Sequence, residues 1–161
     1  MTPSKGPASK KKVPTSSASE IAPGVFVGGW NDAVGFSGTR VCVLDELPAE
    51  PIPGSTHIPI YDESTDRAIR ANLERVADLA AAARSRQEPV LLFCGHGVRR
   101  GSLAGAWYLH RSEGISLDAA YDRIRAARPQ IQHLNEWVGD WKALDQEATH
   151  PHPRRRANRA T

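Results

Sequence analysis

The strongest structural signal in the sequence is PVLLFCGHGVRR, from Pro89 to Arg100. Its first five residues form an apolar run of strand length, which predicts a strand buried at the centre of a sheet. Two glycines then break the strand, and the apolar residues that follow predict a helix through Leu103 and Leu109. Cys94 therefore ends a buried strand and Arg100 opens a helix, with five residues in the loop between them.

The loop has the composition of an anion-binding site. Glycine allows successive backbone N–H groups to point inward, and a helix N-terminus adds a positive field. The same field favours the thiolate form of Cys94, and the planar guanidinium of Arg100 can hold two phosphoryl oxygens. A nucleophile, an amide cradle and a charge clamp together predict phosphoryl transfer to sulfur. The predicted phosphate-binding residues are Gly95, His96, Gly97, Val98, Arg99 and Arg100.

The rest of the chain places this loop in an α/β domain. Short apolar runs predict strands, and apolar residues at three- and four-residue spacing predict amphipathic helices. Strands are expected at 25–27, 41–44, 56–60 and 89–93, and helices at 67–86, 100–109, 117–128 and around 137–144. We therefore predict a single three-layer domain in which helices flank a short, mainly parallel central sheet. In such folds the chemistry gathers in loops at the carboxyl ends of strands.

Length and composition limit the class of protein. A chain of 161 residues suffices for one domain with a proper core. Two cysteines, Cys42 and Cys94, do not make a disulfide framework, and the N-terminus lacks the apolar region of a secretory signal. No apolar run has the length needed for a transmembrane segment. We expect a cytoplasmic protein, because a free thiolate survives in a reducing compartment.

The net charge of +3 belongs to the two ends of the chain. Residues 1–20 carry four lysines against one glutamate, and residues 149–161 carry four arginines and no acid. That leaves 13 basic and 17 acidic residues in 21–148, which we predict to be the folded domain. The two tails are predicted to be disordered, and they either aid solubility or touch anionic partners weakly. Aromatic residues are not interleaved with these charges, so no specific nucleic-acid partner is predicted.

The sequence resembles the cysteine-dependent protein tyrosine phosphatase superfamily, most closely its dual-specificity branch. The shared signature is cysteine, any five residues and arginine, with glycine at the third place after cysteine, and Cys94, Gly97 and Arg100 match it. The resemblance covers about residues 21–146. It implies a phosphatase that hydrolyses phosphotyrosine and also phosphoserine or phosphothreonine proteins through a cysteinyl-phosphate, without a cofactor or metal. The other similar segments are 24–28, 58–62 and 128–131.

The resemblance also assigns the general acid to Asp62, which follows the Ile-Pro-Ile-Tyr run at 58–61. This carboxyl group would protonate the leaving oxygen and then activate water against the cysteinyl-phosphate. Asp66 and Glu63 are the nearby alternatives. The catalytic residues expected from the resemblance are Cys94, Arg100 and Asp62.

Two positions differ from the family pattern. The family usually has histidine before the cysteine, where this chain has Phe93, and serine or threonine after the arginine, where it has Gly101. The family's hydroxyl helps the sulfur to leave the phosphoenzyme. Ser102 comes one place late and should point elsewhere, because a helix turns about 100° per residue. We therefore predict a functional enzyme with a slow second step.

Several interpretations remain open at this stage. The side chains of His96 and Arg99 either face solvent or select highly anionic substrates, as in phosphoinositide and inositol phosphate phosphatases. Trp30 belongs either to the core or to the wall of the cleft. Cys42 is either core packing or the partner of Cys94 in a reversible, protective disulfide.

Two other functions compete with the phosphatase interpretation. Rhodanese-like sulfurtransferases also place a reactive cysteine after a buried strand, and Arg99 would close a shorter anion cradle there. Phe93 and Gly101 favour the second alternative, a non-catalytic module that binds phosphate without turning it over.

Overall fold

The chain is described here from a computed structural model, which covers residues 17–61 and 65–149, with side chains through residue 146. Five strands form one sheet in the order β1-β2-β5-β3-β4. β1 pairs antiparallel with β2, and the other pairings are parallel. The strands are β1 Ser19–Ala22, β2 Val25–Gly28, β3 Thr39–Cys42, β4 Thr56–His57 and β5 Val90–Phe93.

Helices cover the two faces of the sheet unevenly. The large core on one face joins the sheet to α2, α3 and α4, while the smaller core on the other face includes only α1 among the helices. The helices are α1 Trp30–Val34, α2 Asp66–Ser85, α3 Arg100–Glu113, α4 Leu117–Ala127 and α5 Trp141–Thr149, with a 3-10 turn at Asn135–Val138. The predicted α/β class, with a mainly parallel central sheet and flanking helices, is confirmed.

β5 is the central strand, as the apolar run predicts, and all four of its residues are buried. Its side chains alternate between the two cores, with Val90 and Leu92 in the large core and Leu91 and Phe93 in the small one. Cys94 continues this alternation and belongs to the large core. The strand therefore directs the thiol toward the face on which α3 lies.

Local sequence explains where two of the helices begin. The Thr65 hydroxyl accepts a hydrogen bond from the Ala68 N–H at the start of α2, at 3.1 Å. Ser116 caps α4 in the same way, accepting from the Ala119 N–H at 3.0 Å, as its position in the sequence predicts. Both helices then bury one apolar face against the sheet or against α3.

The structure adds three elements that the sequence patterns do not predict: β1, α1 and the 3-10 turn at Asn135–Val138, which precedes α5 where the spacing predicts one helix around 137–144. β1 begins at Ser19, before the expected domain boundary at residue 21, because its pairing with β2 and the burial of Ile21 order this edge. The five-residue helix α1 is too short to show a period. β4 is shorter than the predicted strand at 56–60, which contains Pro59, a residue that cannot donate to a ladder.

Residues 1–16 and 150–161, which hold most of the two predicted tails, lie outside the described part of the chain. Within the described part, no helix combines the length and apolar character required to cross a membrane.

Candidate active site

Cys94 lies immediately after the central strand and is 5% exposed. Its backbone N–H donates to the Gly28 carbonyl at 3.3 Å, so the end of β5 stays attached to the end of β2. The loop of residues 94–100, which we call the cradle, then leads directly into α3. The cradle thus lies at the carboxyl edge of the parallel strands, where the topology predicts the chemistry.

Two backbone amides point at the sulfur of Cys94. The N–H groups of Gly97 and Gly101 both donate to its Sγ, at 3.3 Å each. Gly97 has a φ of +70°, a left-handed conformation that favours glycine, and a Cβ there would lie 2.7 Å from the Gly28 backbone. Gly101 lies in the first turn of α3, where N–H groups lack partners within the helix. This arrangement stabilises negative charge on the sulfur.

The carbonyl groups of the cradle are bound from outside. The Trp30 N–H donates to the Gly95 carbonyl at 2.9 Å, and the Gln132 N–H donates to the Val98 carbonyl at 2.8 Å. The Ser102 hydroxyl donates to the Gly97 carbonyl at 3.1 Å. Each contact fixes the orientation of one peptide group of the cradle.

Arg128 contributes the largest share of these outer contacts. It is 2% exposed, and its guanidinium donates to the carbonyls of His96 and Gly97, at 2.9 Å each. The same group reaches the Ser17 carbonyl at 2.7 Å and the Ser19 hydroxyl at 3.1 Å. Desolvation by burial lowers the pKa of Arg128, although the charges of Asp32 and Cys94 act in the opposite direction.

The side chain of Arg100 is 13% exposed and is already engaged. Its Nε donates to the Ile60 carbonyl at 2.7 Å, and one terminal nitrogen lies 3.4 Å from a carboxylate oxygen of Asp45. The guanidinium also lies over the ring of Trp137, 5.4 Å from its centroid. Arg99 contacts the same ring from 5.5 Å. The guanidinium of Arg100, which is the expected clamp, therefore lies beside the cradle and already donates to Ile60 and Asp45.

The cradle forms the floor of a pocket of about 370 Å³. Cys94 lies at its base, and Leu44, a residue not singled out from the sequence, forms part of its wall. The predicted phosphate-binding residues Gly95, His96, Val98, Arg99 and Arg100 also line it. His96 and Arg99 are exposed, which keeps both earlier interpretations of their side chains open.

Asp62 and its alternative Glu63 lie outside the described residues. Asp66, the other alternative, is the first residue of α2, and its carboxylate lies 3.9 Å from the guanidinium of Arg70. The assignment of Asp62 therefore remains a prediction.

The two departures from the family pattern have clear local surroundings. Phe93 is fully buried and packs edge-on against Trp30, with 5.7 Å between ring centroids. A Cβ at Gly101 would lie 3.4 Å from the sulfur of Cys94, which leaves room for a serine. The hydroxyl of Ser102 is engaged by the Gly97 carbonyl, on the outer side of the cradle.

Cys42 lies opposite Phe93 in the pairing of β3 with β5, and both belong to the smaller core. Cys94 belongs to the larger core, so the sheet directs the two thiols to opposite faces. Both cysteines are free, and burial raises the pKa of the Cys42 thiol. These observations favour core packing over a protective disulfide for Cys42.

Sequence reasoning missed three residues that shape the site. Arg128 lies in the family-like segment 128–131, but its cradle partners are more than 30 residues away in sequence, so no local pattern shows its role. Leu44 ends the predicted strand at 41–44 and Asp45 follows it, and this place at the carboxyl end of a strand is the signal for both. Trp30, left between core and cleft, contacts both the cradle and Phe93.

Comparison with known proteins agrees with this geometry. Residues 52–142 match the family described as dual specificity phosphatase, catalytic domain. Human dual specificity phosphatase 28 is 27% identical over 118 residues, which cover 68% of this chain and 66% of that protein. Mouse dual specificity protein phosphatase 12 is 29% identical over 152 residues, 84% of this chain but only 43% of that protein.

A crystal structure shows the same fold. A mouse protein complexed with zinc tungstate superimposes with a TM-score of 0.70 at 22% identity, over 92% of this chain and 99% of that one. The match to the family takes in more than half of the chain, and it favours neither of the competing functions. The chain therefore belongs to the dual specificity phosphatase family and carries its catalytic domain.

Proposed function

We propose that this domain hydrolyses phosphate monoesters of proteins, with Cys94 as the nucleophile. The observation that carries the proposal is the pair of amides, from Gly97 and Gly101, that point at the sulfur while the neighbouring carbonyls are bound from outside. Such a ring of donors suits both a thiolate and the oxygens of a phosphoryl group.

The reaction would proceed in two displacements. The sulfur of Cys94 attacks phosphorus, and the bond from phosphorus to the leaving oxygen breaks as Asp62 gives that oxygen a proton. Water then attacks the cysteinyl-phosphate and gives a proton to Asp62, and the phosphorus–sulfur bond breaks. Inorganic phosphate leaves and the thiolate is restored.

Arg100 would hold the phosphoryl oxygens in both steps. To do so its guanidinium must exchange the carboxylate of Asp45, which is 43% exposed, for the phosphate. The two groups make a single contact of 3.4 Å, longer than an ordinary charge-assisted hydrogen bond, so the exchange gives up only a weak interaction. The setting we infer is a reducing cytoplasm, in which the thiol of Cys94 persists.

Three single variants test the proposal. Cys94→Ser should abolish hydrolysis of an aryl phosphate and of a phosphotyrosyl peptide. Asp62→Asn should slow hydrolysis of a phosphoseryl peptide by roughly 100- to 10,000-fold, and that of a nitrophenyl phosphate by less, because nitrophenolate leaves without a proton. Asp66→Asn is the matched control and should retain activity. If Asp62→Asn loses no more activity than Asp66→Asn, Asp62 is not the general acid.

The exposed His96 and Arg99 at the rim of the pocket favour a second candidate substrate, a phosphoinositide or inositol phosphate. A panel of phosphotyrosyl, phosphoseryl and phosphoinositide substrates, with Cys94→Ser as the blank, separates the two. Binding without turnover in the whole panel would indicate the non-catalytic module instead. Sulfur transfer from thiosulfate to cyanide would indicate the sulfurtransferase.

A further inference from the structure

An open, largely apolar groove of about 570 Å³ adjoins the phosphate pocket. The two depressions share Leu44 and Gly95, so a molecule held in the pocket extends naturally into the groove. The remaining walls of the groove are Trp30, Pro48, Ala49 and Glu50.

Trp30 holds this groove at a fixed offset from the sulfur of Cys94. The backbone N–H of Trp30 donates to the Gly95 carbonyl at 2.9 Å, and its indole ring packs against the buried Phe93. At Gly29 the backbone approaches the cradle so closely that a Cβ would lie 2.6 Å from the Gly95 oxygen. The indole is therefore tied to the cradle by its backbone and by its side chain.

The charge around the groove indicates what it can hold. Among the described residues that line the groove, Glu50 is the one ionisable side chain. The surrounding domain adds no excess of positive charge, since residues 21–148 carry 17 acidic against 13 basic side chains. A second phosphate or an acidic side chain is disfavoured here, whereas a neutral apolar side chain buries its surface against Trp30, Leu44 and Pro48.

We propose that this groove binds an apolar side chain adjacent to the phosphorylated residue of a peptide substrate, and so sets sequence preference. The inference rests on the proposed function, because it requires the phosphate of the same peptide to occupy the cradle. It adds a peptide contact that the cradle alone does not provide, and it names Trp30 as the residue that determines specificity.

The test uses the full chain and phosphotyrosyl peptides that carry leucine, alanine or glutamate at each position next to the phosphotyrosine. Wild type should prefer leucine over alanine at one such position by about five- to tenfold in kcat/KM, the gain expected for partial burial of a leucine side chain. Glutamate at that position should be the poorest of the three.

Two variants then locate the preference. Trp30→Ala and Ala49→Glu should each reduce the ratio of leucine to alanine peptides to within about twofold. Ala49 is exposed, so its substitution does not threaten folding. Val34→Ala, at the exposed end of the same helix as Trp30, is the matched control and should keep the wild-type ratio. A ratio near one in wild type, or a ratio retained in both groove variants, would overturn the proposal.

Binding of the same peptides to Cys94→Ser, measured by calorimetry, separates this inference from the proposed function. If the peptides bind with a leucine preference that depends on Trp30 but wild type shows no turnover, the groove proposal is supported and the proposed catalytic function is wrong. If wild type turns the peptides over without a leucine preference, the catalytic function is supported and the groove proposal is wrong. If Trp30→Ala instead slows hydrolysis of phosphoinositide in phosphatidylcholine vesicles and spares the peptides, the groove holds an acyl chain and our assignment is wrong.

Discussion

Arg128 is a buried cation whose donors are satisfied mainly by peptide carbonyls. Two of those carbonyls belong to the cradle, so the side chain controls which way its peptide groups face. Removing a charged donor from a buried acceptor costs about 1.5–3 kcal/mol, far more than an exposed ion pair contributes. We infer that Arg128 positions the cradle without touching the substrate.

Arg128→Met, which keeps most of the volume and loses the donors, should lower kcat/KM by roughly 10- to 100-fold, as expected for one or two charge-assisted contacts. It should also raise the inhibition constant of vanadate, because the cradle amides no longer converge on one anion. Arg128→Lys should recover part of both effects. A variant that melts earlier but keeps the wild-type inhibition constant of vanadate would show that the residue is only structural.

Gly101→Ser addresses the slow second step. The new hydroxyl would start from a Cβ 3.4 Å from the sulfur, close enough to donate to it as the phosphoenzyme breaks down. Wild type should therefore show a burst of phenolate release from an aryl phosphate, and Gly101→Ser should shrink that burst by raising the rate of the second step. Absence of a burst in wild type, together with no gain in the variant, would contradict the idea.

At the scale of elements, the sequence predicts what depends on local chemistry. The central strand, the amphipathic α2 and the Ser116 cap of α4 each leave a periodic or positional signal, and the structure contains all three. β1 escapes prediction because it buries only Ile21 and is ordered by a neighbouring strand. The reaction centre follows the same rule, since the Cys94 loop is contiguous while Arg128 acts from a distant segment.

The contact of α3 with the sheet depends on Gly105. A Cβ there would lie 2.7 Å from Val27 and 2.9 Å from Ile21, side chains on β2 and β1. In a free helix, glycine to alanine gains about 1 kcal/mol, but overpacking a core costs about 1–3 kcal/mol. At Gly105 we expect the overpacking cost to exceed the gain in helix propensity.

Gly105→Ala should therefore lower the free energy of unfolding in urea by up to about 2 kcal/mol, the overpacking cost less the helix gain. Ala81→Gly, on the exposed face of α2, calibrates the intrinsic difference between the two residues. A stabilised Gly105→Ala protein would mean that α3 shifts away from the sheet without loss.

In the whole molecule, the sheet separates the thiols of Cys42 and Cys94. The sequence does not predict that they lie on opposite faces. Burial raises the pKa of Cys42 above its ordinary value of 9.0, with the Leu44 backbone opposing and the charge of Cys94 assisting. The folded state therefore keeps this proton at pH values where the unfolded chain has lost it. The stability contributed by the neutral thiol is complete below pH 9.0 and declines as the pH rises toward the folded value.

Cys42→Val removes this ionisation while keeping an apolar side chain. The difference in unfolding free energy between wild type and Cys42→Val should fall by up to about 1.4 kcal/mol between pH 7 and pH 10. Urea denaturation under reducing conditions measures it, and other titrating groups cancel in the comparison. A difference that stays constant with pH would show that Cys42 ionises normally in the fold.

The hydrogen bonds from Arg128 to Ser17 and Ser19 have a consequence for the design of N-terminal truncations. Composition suggests starting the recombinant protein at Ile21, since the preceding stretch is polar and basic. That cut would delete two acceptors of a guanidinium that also orients the nucleophile's surroundings, and it would remove half of the first strand. A shortened protein would then be a poorer catalyst with every residue of the loop intact, and its weakness would be mistaken for a property of the natural enzyme.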